Sequence, residues 1–262
     1  MILALDIGNT AITLGCYRED SLAFISRITT DLKKMEDQYA VDIRDILAIY
    51  DTPARLITGS IISSVVPPLT EVVARAVEKI THTRPMIVGP GIKTGLNIRI
   101  DNPATLGADL VADCVAALEH YPLPCIILDM GTATSISVLN EKGVMIGGAL
   151  MPGVHISLEA LCKSTAQLPN IALTPPKRTI GTNTIDCMAS GTLLGTASML
   201  DGMCLRIEEE LGSPCTVIGT GGMAREILPL CRRAVIHDEN LLLNGLYILY
   251  QKNSQQKPAT TA

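Results

Sequence analysis

Hydrophobic positions along the chain switch between a period of two and a period near 3.6, the signatures of strands and helices. Short apolar runs at 2–5, 11–17 and 22–29 predict three strands in succession. The stretch 35–50 carries Tyr39, Ile43, Ile46 and Ile49 toward one side and predicts a helix. The run 56–66 returns to strand and stops at Pro67-Pro68, residues suited to the first turn of a helix, here reaching Ile80. A strand at 86–88 leads into the turn Gly89-Pro90-Gly91, and Asp101-Asn102-Pro103 precedes a helix to about Tyr121. The second half repeats this grammar, with strands at 125–128, 135–139 and 144–150. Helices follow at 155–162 and 183–211, then a strand at 217–218, a Gly-rich turn at 219–222, and a closing helix at 239–250. Strands in groups of three followed by helices predict mixed sheets with helical cover rather than a simple alternating parallel sheet.

An internal repeat sharpens the prediction. Ile2-Leu3-Ala4-Leu5-Asp6-Ile7-Gly8-Asn9-Thr10 parallels Ile126-Ile127-Leu128-Asp129-Met130-Gly131-Thr132-Ala133-Thr134. In both, an apolar strand delivers an Asp, then x-Gly, then amide or hydroxyl residues, then another apolar strand. Two copies about 123 residues apart, Asp6 to Asp129, indicate a duplicated domain. The expected organisation is an N-terminal domain 1–122, a C-terminal domain 123–251 and a flexible tail 252–262.

Composition narrows the function classes. Of 262 residues 47% are hydrophobic and only 3% aromatic, so Ile, Leu, Val, Ala and Met must build the core. A net charge of -5 argues against binding duplex nucleic acid, which needs a basic surface. Eight scattered cysteines without a CxxC or a neighbouring His at ligand spacing read as free thiols of a reducing compartment. The start, MILALDIGNT, has no basic n-region and meets Asp6 at once, unlike a signal peptide, and the uncharged stretch 187–200 is too short to span a bilayer. A cytoplasmic, soluble protein without membrane contact is expected. His82, His120, His155 and His237 are dispersed and suggest no hydrolase triad.

The Asp-x-Gly turns carry the candidate chemistry. An Asp at a strand end holds a hydrated cation, the Gly lets backbone amides approach a phosphate, and Thr or Asn adds donors. One such turn alone is an ordinary hairpin; a matched pair points to a polyphosphate and its metal. A third element, Gly219-Thr220-Gly221-Gly222 at a strand-to-helix junction, offers a side-chain-free surface for a nucleoside. There is no GxxxxGK[ST] motif and no GxGxxG after the first strand.

DIGNT (6–10), DMGTATS (129–135) and GTGG (219–222) resemble the two phosphate motifs and the adenosine motif of the acetate/sugar-kinase, heat-shock and actin superfamily. More narrowly, SSVVPPL (63–69), VGPGIKTGLNI (88–98), DNPATLGADLVADCVAA (101–117), GGALMPGVHISLEAL (147–161), LPNI (168–171) and IGTNTIDCMASG (180–191) are similar in order and spacing to type III pantothenate kinase. The resemblance runs through roughly residues 1–250.

It implies an α/β fold of duplicated ribonuclease H-like (actin-like) domains, each a mixed sheet with flanking helices. It also implies ATP-dependent phosphorylation of pantothenate to 4'-phosphopantothenate, the first step of coenzyme A biosynthesis. Carried over by position, Asp6, Ile7, Gly8, Asn9, Thr10, Ala11, Ile12 and Thr13 form the first phosphate loop, and Thr132 is the second phosphate contact. Asp109 is the catalytic base within the substrate segment Gly107, Ala108, Asp109 and Leu110, and Thr184 contacts pantothenate. Asp129 binds a monovalent cation, potassium or ammonium, Asp6 orients magnesium through water, and Gly219, Gly221 and Gly222 mark the adenosine region. The family is homodimeric.

The sequence departs from the family at Leu110, where Arg is usual, and at Thr182, where Lys is common. A guanidinium offers a planar fork to phosphate or carboxylate; its loss costs about 1.5–3 kcal/mol of a charge-assisted contact. Two other readings therefore stand beside the kinase. One is a regulatory or weakly active relative like the Bvg accessory factor, and the other is a kinase for another small alcohol.

Overall fold

The computed structural model describes residues 1–254. In chain order the elements are β1 (Ile2–Ile7), β2 (Ala11–Arg18), β3 (Ser21–Thr29), α1 (Glu36–Ile49), β4 (Gly59–Ser64), α2 (Pro67–Thr81), β5 (Met86–Ile87), β6 (Asn97–Ile98) and α3 (Ala108–His120). They continue with β7 (Cys125–Met130), β8 (Ala133–Leu139), β9 (Val144–Pro152), α4 (Val154–Lys163), α5 (Thr184–Ala189), α6 (Gly195–Leu211), β10 (Thr216–Thr220), α7 (Ala224–Ile227), β11 (Ile236–His237) and α8 (Leu241–Ser254). Among the described residues, no helix is long and apolar enough to cross a membrane.

The chain forms two compact units. Among the described residues, the first comprises 1–95, 102–116 and 241–254; the second comprises 96–101 and 117–240. Segmentation at 122 differs from this in three ways: α8 belongs to the first unit, and both the β6 segment 96–101 and residues 117–122 belong to the second.

In the first unit the sheet order is β3-β2-β1-β4-β5, with β1 antiparallel to β2 and parallel to β4. The pleat sends Leu3, Leu5 and Ile7 of β1 and Ile12, Leu14 and Cys16 of β2 to one face. There they pack with Tyr39, Ile43 and Leu47 of α1 and Leu69, Val73 and Val77 of α2 in one fully apolar core. α1 starts where the Gln38 side chain accepts the Met35 N–H (2.8 Å), and α2 starts on Pro67-Pro68.

The opposite face carries Ala4 and Asp6, and α8 covers it. Tyr250 lies over Gly59, Leu243 over Gly15, and Tyr17 donates to Asn244 (2.8 Å). α3 is held in the same layer, because Gly245 of α8 lies against the Ala112 backbone where a Cβ would collide.

The second unit repeats this plan. Its sheet order is β11-β10-β7-β8-β9-β6, and the run β9-β8-β7-β10-β11 reproduces the first sheet strand for strand. β7 is antiparallel to β8 and parallel to β10. Ile126, Leu128 and Met130 face a core closed by Val154 of α4, Leu193, Ala197 and Leu200 around α6, and Ala224 and Ile227 of α7. The expected class, duplicated actin-like domains with mixed sheets and flanking helices, is the observed architecture. β6 and β11, each two residues long, are strands that the sequence pattern does not signal.

The expected flexible tail begins inside a helix. Lys252, Asn253 and Ser254 continue α8, and residues 255–262 lie outside the described residues. Asn253 accepts from the Lys93 amide (3.0 Å) and donates to the Lys93 and Leu249 carbonyls (2.9 and 2.8 Å). Asn253→Ala removes these bonds and is expected to cost about 1 kcal/mol, read as a lower urea midpoint with an unchanged slope.

Candidate active site

Each unit builds its polar centre from the strand that opens it. Asp6 is the penultimate residue of β1 and Asp129 the penultimate residue of β7. Alternation with the buried Leu5 and Ile7, or Leu128 and Met130, turns each acid to the face that this core does not occupy. Register then surrounds each acid with hydroxyls. Asp6 stands opposite Thr13 on β2 and Ser63 on β4, while Asp129 stands opposite Ser135 on β8 and Thr220 on β10. Side chains directly opposite across a ladder share a face, so both acids acquire the same oxygen-rich surroundings.

Ser63 and Thr220 belong to parallel neighbours far along the chain; the sequence pattern gives neither hydroxyl a role beside an acid, although Thr220 lies within the GTGG element. Ser63 is fully buried, and its Oγ has no hydrogen-bond partner among the described residues. A carboxylate and hydroxyls without sulfur or imidazole form a donor set for a hard, hydrated cation. The residues present fit a hard cation, magnesium among them, at either acid.

The first loop, Gly8 to Ala11, is closed by Gly8 N–H donating to Ala11 O (3.0 Å). Asn9 and Thr10 are exposed at its tip. Ile7 and Ile12 from the same segment have fully buried side chains, so they meet a ligand only through the backbone.

In the second unit Thr132 and Ala133 are exposed at the tip of the β7–β8 turn. Gly153 N–H donates to Thr132 O (3.2 Å) and Met223 N–H to Met130 O (3.1 Å), which fixes that turn from two sides. Gly221, at φ 94°, packs directly against the Asp129 carboxylate and the Met130 backbone. A side chain there meets both strain and collision. The structure thus brings the GTGG turn onto the second acid: Gly219 is buried, Gly222 exposed, and Gly221 makes the contact.

Asp109 occupies the first turn of α3, half-buried, and accepts the Leu110 N–H (2.8 Å). The carboxylate lies over Gly107, where a Cβ would displace it. Burial pushes the Asp109 carboxyl above the ordinary aspartate range, and hydrogen bonds from the Leu110 and Asp109 amides only partly offset this. Ala108 and Leu110 are half-buried beside it, and Leu110 supplies no charge.

Thr184 belongs to the second unit. It opens α5 after Asn183, whose Oδ1 accepts the Asp186 N–H (2.9 Å). With Thr182, Leu161, Gly191, Gly195 and Met199 it lines an open groove of about 870 Å³. Asp129, Thr132 and the GTGG turn do not line that groove.

Two duplicated sheets of this order, each with an acid and a glycine hairpin, define an actin-like architecture. Solved structures of low identity share the fold. A protein described as a Baf family transcriptional activator from Campylobacter jejuni has a TM-score of 0.61 at 16% identity, over 97% of this chain and 99% of that one. Component A of (R)-2-hydroxyglutaryl-CoA dehydratase from Acidaminococcus fermentans has a TM-score of 0.57 at 14% identity, over 95% and 96%. Sequence is more specific. The family model for type III pantothenate kinase matches residues 2–206. A type III pantothenate kinase of Halalkalibacterium halodurans is 43% identical over 97% of this chain and all of its own length. The chain belongs to the type III pantothenate kinase family.

The raised Asp109 carboxyl has two expected consequences. In the role of base proposed below, Asp109 acts only when deprotonated, so the acid limb of kcat/KM is expected above the ordinary aspartate pKa of 3.8. The unfolded chain ionises this group first as pH rises, so stability falls between the ordinary and the raised folded value and stays lower above it. Asp109→Asn is expected to lose about 10²–10⁴-fold in kcat while raising the melting temperature at neutral pH but not at low pH. Parallel rate and melting profiles check both.

Proposed function

We propose that this protein catalyses transfer of the γ-phosphoryl group of ATP to the primary hydroxyl of pantothenate, giving 4'-phosphopantothenate and ADP at the start of coenzyme A synthesis. The observation that carries the reading is the pair of strand-end acids in matching hydroxyl surroundings, Asp6 and Asp129. Family membership names the acceptor.

Phosphoryl transfer asks chiefly for positioning and for stabilisation of charge on the phosphates. Asp109 accepts the acceptor's hydroxyl proton as its oxygen bonds to the γ-phosphorus and the bond to the ADP oxygen breaks. The loop from Asp6 to Thr13 and the turn at Thr132 orient the phosphates, and Gly219, Gly221 and Gly222 leave room for the nucleoside. Magnesium, when bound, neutralises phosphate charge; Asp6 holds its water shell, with Ser63 and Thr13 beside it. Asp129, with Ser135 and Thr220, holds the monovalent cation, potassium or ammonium. Gly107, Ala108, Asp109, Leu110 and Thr184 form the pantothenate contacts.

The reading includes a homodimer. The groove beside Thr184 has exposed Leu161 and side-chain-free positions at Gly191 and Gly195, a surface suited to close approach by a second copy. The eight free thiols support a reducing, cytoplasmic setting.

The test is ADP release with MgATP and pantothenate, in potassium or ammonium against sodium, with light scattering of the same sample. Pantothenate-dependent turnover that requires potassium or ammonium, from a particle of twice the chain mass, is expected. A folded chain that binds ATP without turnover contradicts the reading and favours the regulatory relative that Leu110 suggests. Turnover with another alcohol but not pantothenate favours a different acceptor.

A further inference from the structure

The first phosphate loop is not held by its own hairpin alone. Thr30, immediately after β3, reaches it twice: its Oγ1 donates to Gly8 O (2.6 Å) and its N–H donates to Thr10 O (3.1 Å). Both bonds engage loop carbonyls. In a trans peptide the C=O and the following N–H point in opposite directions. Tying Gly8 O to Thr30 therefore aims the Asn9 N–H away from Thr30, at the exposed tip of the loop. Without that tie the peptide plane is free to rotate and present a carbonyl to an anion.

Thr30 is itself braced from α1. Asp31 N–H donates to the Tyr39 hydroxyl (3.0 Å), and that hydroxyl donates back to Asp31 O (2.9 Å). Tyr39 is fully buried in the first core. A continuous path therefore runs from an apolar anchor through Asp31 and Thr30 to the loop. The path costs the loop part of its freedom before any ligand arrives, and so lowers the ordering cost of binding.

We propose that Thr30 is a positioning residue for nucleotide phosphate: it fixes the orientation of the Gly8–Asn9 peptide so that the loop presents an amide rather than a carbonyl. The choice of nucleotide rests on the kinase reading above. The role concerns a hydroxyl donor, so Thr30→Val, which keeps the shape and loses the donor, is the informative change, and Thr30→Ser restores the donor.

The experiment is calorimetric titration of the full chain with MgATP, alongside melting temperature and the KM for each substrate. Thr30→Val is expected to weaken MgATP binding about three- to ten-fold and to raise the KM for ATP by the same factor. The KM for pantothenate stays unchanged, the melting temperature changes little, and Thr30→Ser binds nearly as wild type. Unchanged MgATP affinity in Thr30→Val overturns the proposal. So does equal weakening in Thr30→Ser, or an equal rise in both KM values. If the wild type binds MgATP but does not phosphorylate pantothenate, the acceptor assignment fails, and the ratio of dissociation constants still decides the role of Thr30. A wild type that binds no MgATP overturns both.

Discussion

The pleat of one strand, used twice, is the constraint on which the rest depends. Each unit opens with a strand whose alternate residues are committed to an apolar core, Leu3, Leu5 and Ile7 in one and Ile126, Leu128 and Met130 in the other. The period of two then leaves Asp6 and Asp129 no choice of face. A one-residue slip would bury a carboxylate among aliphatic side chains and expose the core set to water. Core burial thus fixes the position of the acid, and the acid sits one residue before a turn that carries a glycine.

The surrounding layers transmit that placement. Gly245 brings α8 onto α3, which carries Asp109, and Gly107 leaves space for its carboxylate. Gly221 closes the GTGG turn onto Asp129. In each case the absence of a side chain permits an approach on which the geometry of a charged group depends. The raised Asp109 carboxyl is the cost of that placement: a solvated carboxylate there would be more stable, and in the proposed role it would be a weaker base.

Local periodicity made most of this legible in the sequence. The strand triplets, the helices α1, α2, α4 and α6, and the repeat around Asp6 and Asp129 all follow from patterns within a few residues. Contacts between distant segments were not legible. Ser63 and Thr220 join the acids only through parallel pairing, which no local pattern encodes. β6 and β11 are too short to carry a period, and α8 reads as the end of the second domain until its packing on the first sheet is seen. Thr30 closes a polar strand end and looks like an ordinary turn residue; its role depends on β3 lying beside β2. Polarity hides the end of α8 in the sequence, because Asn253 is polar yet docked on Lys93.

On the proposed function, two acids in matching surroundings serve two different cations. Initial rates measured against potassium at saturating magnesium, and against magnesium at saturating potassium, separate them in wild type, Asp6→Asn and Asp129→Asn. The account predicts that Asp129→Asn raises the potassium requirement and leaves the magnesium requirement near wild type, while Asp6→Asn does the reverse. Equal shifts of both requirements in both variants, or no shift in either, would contradict it.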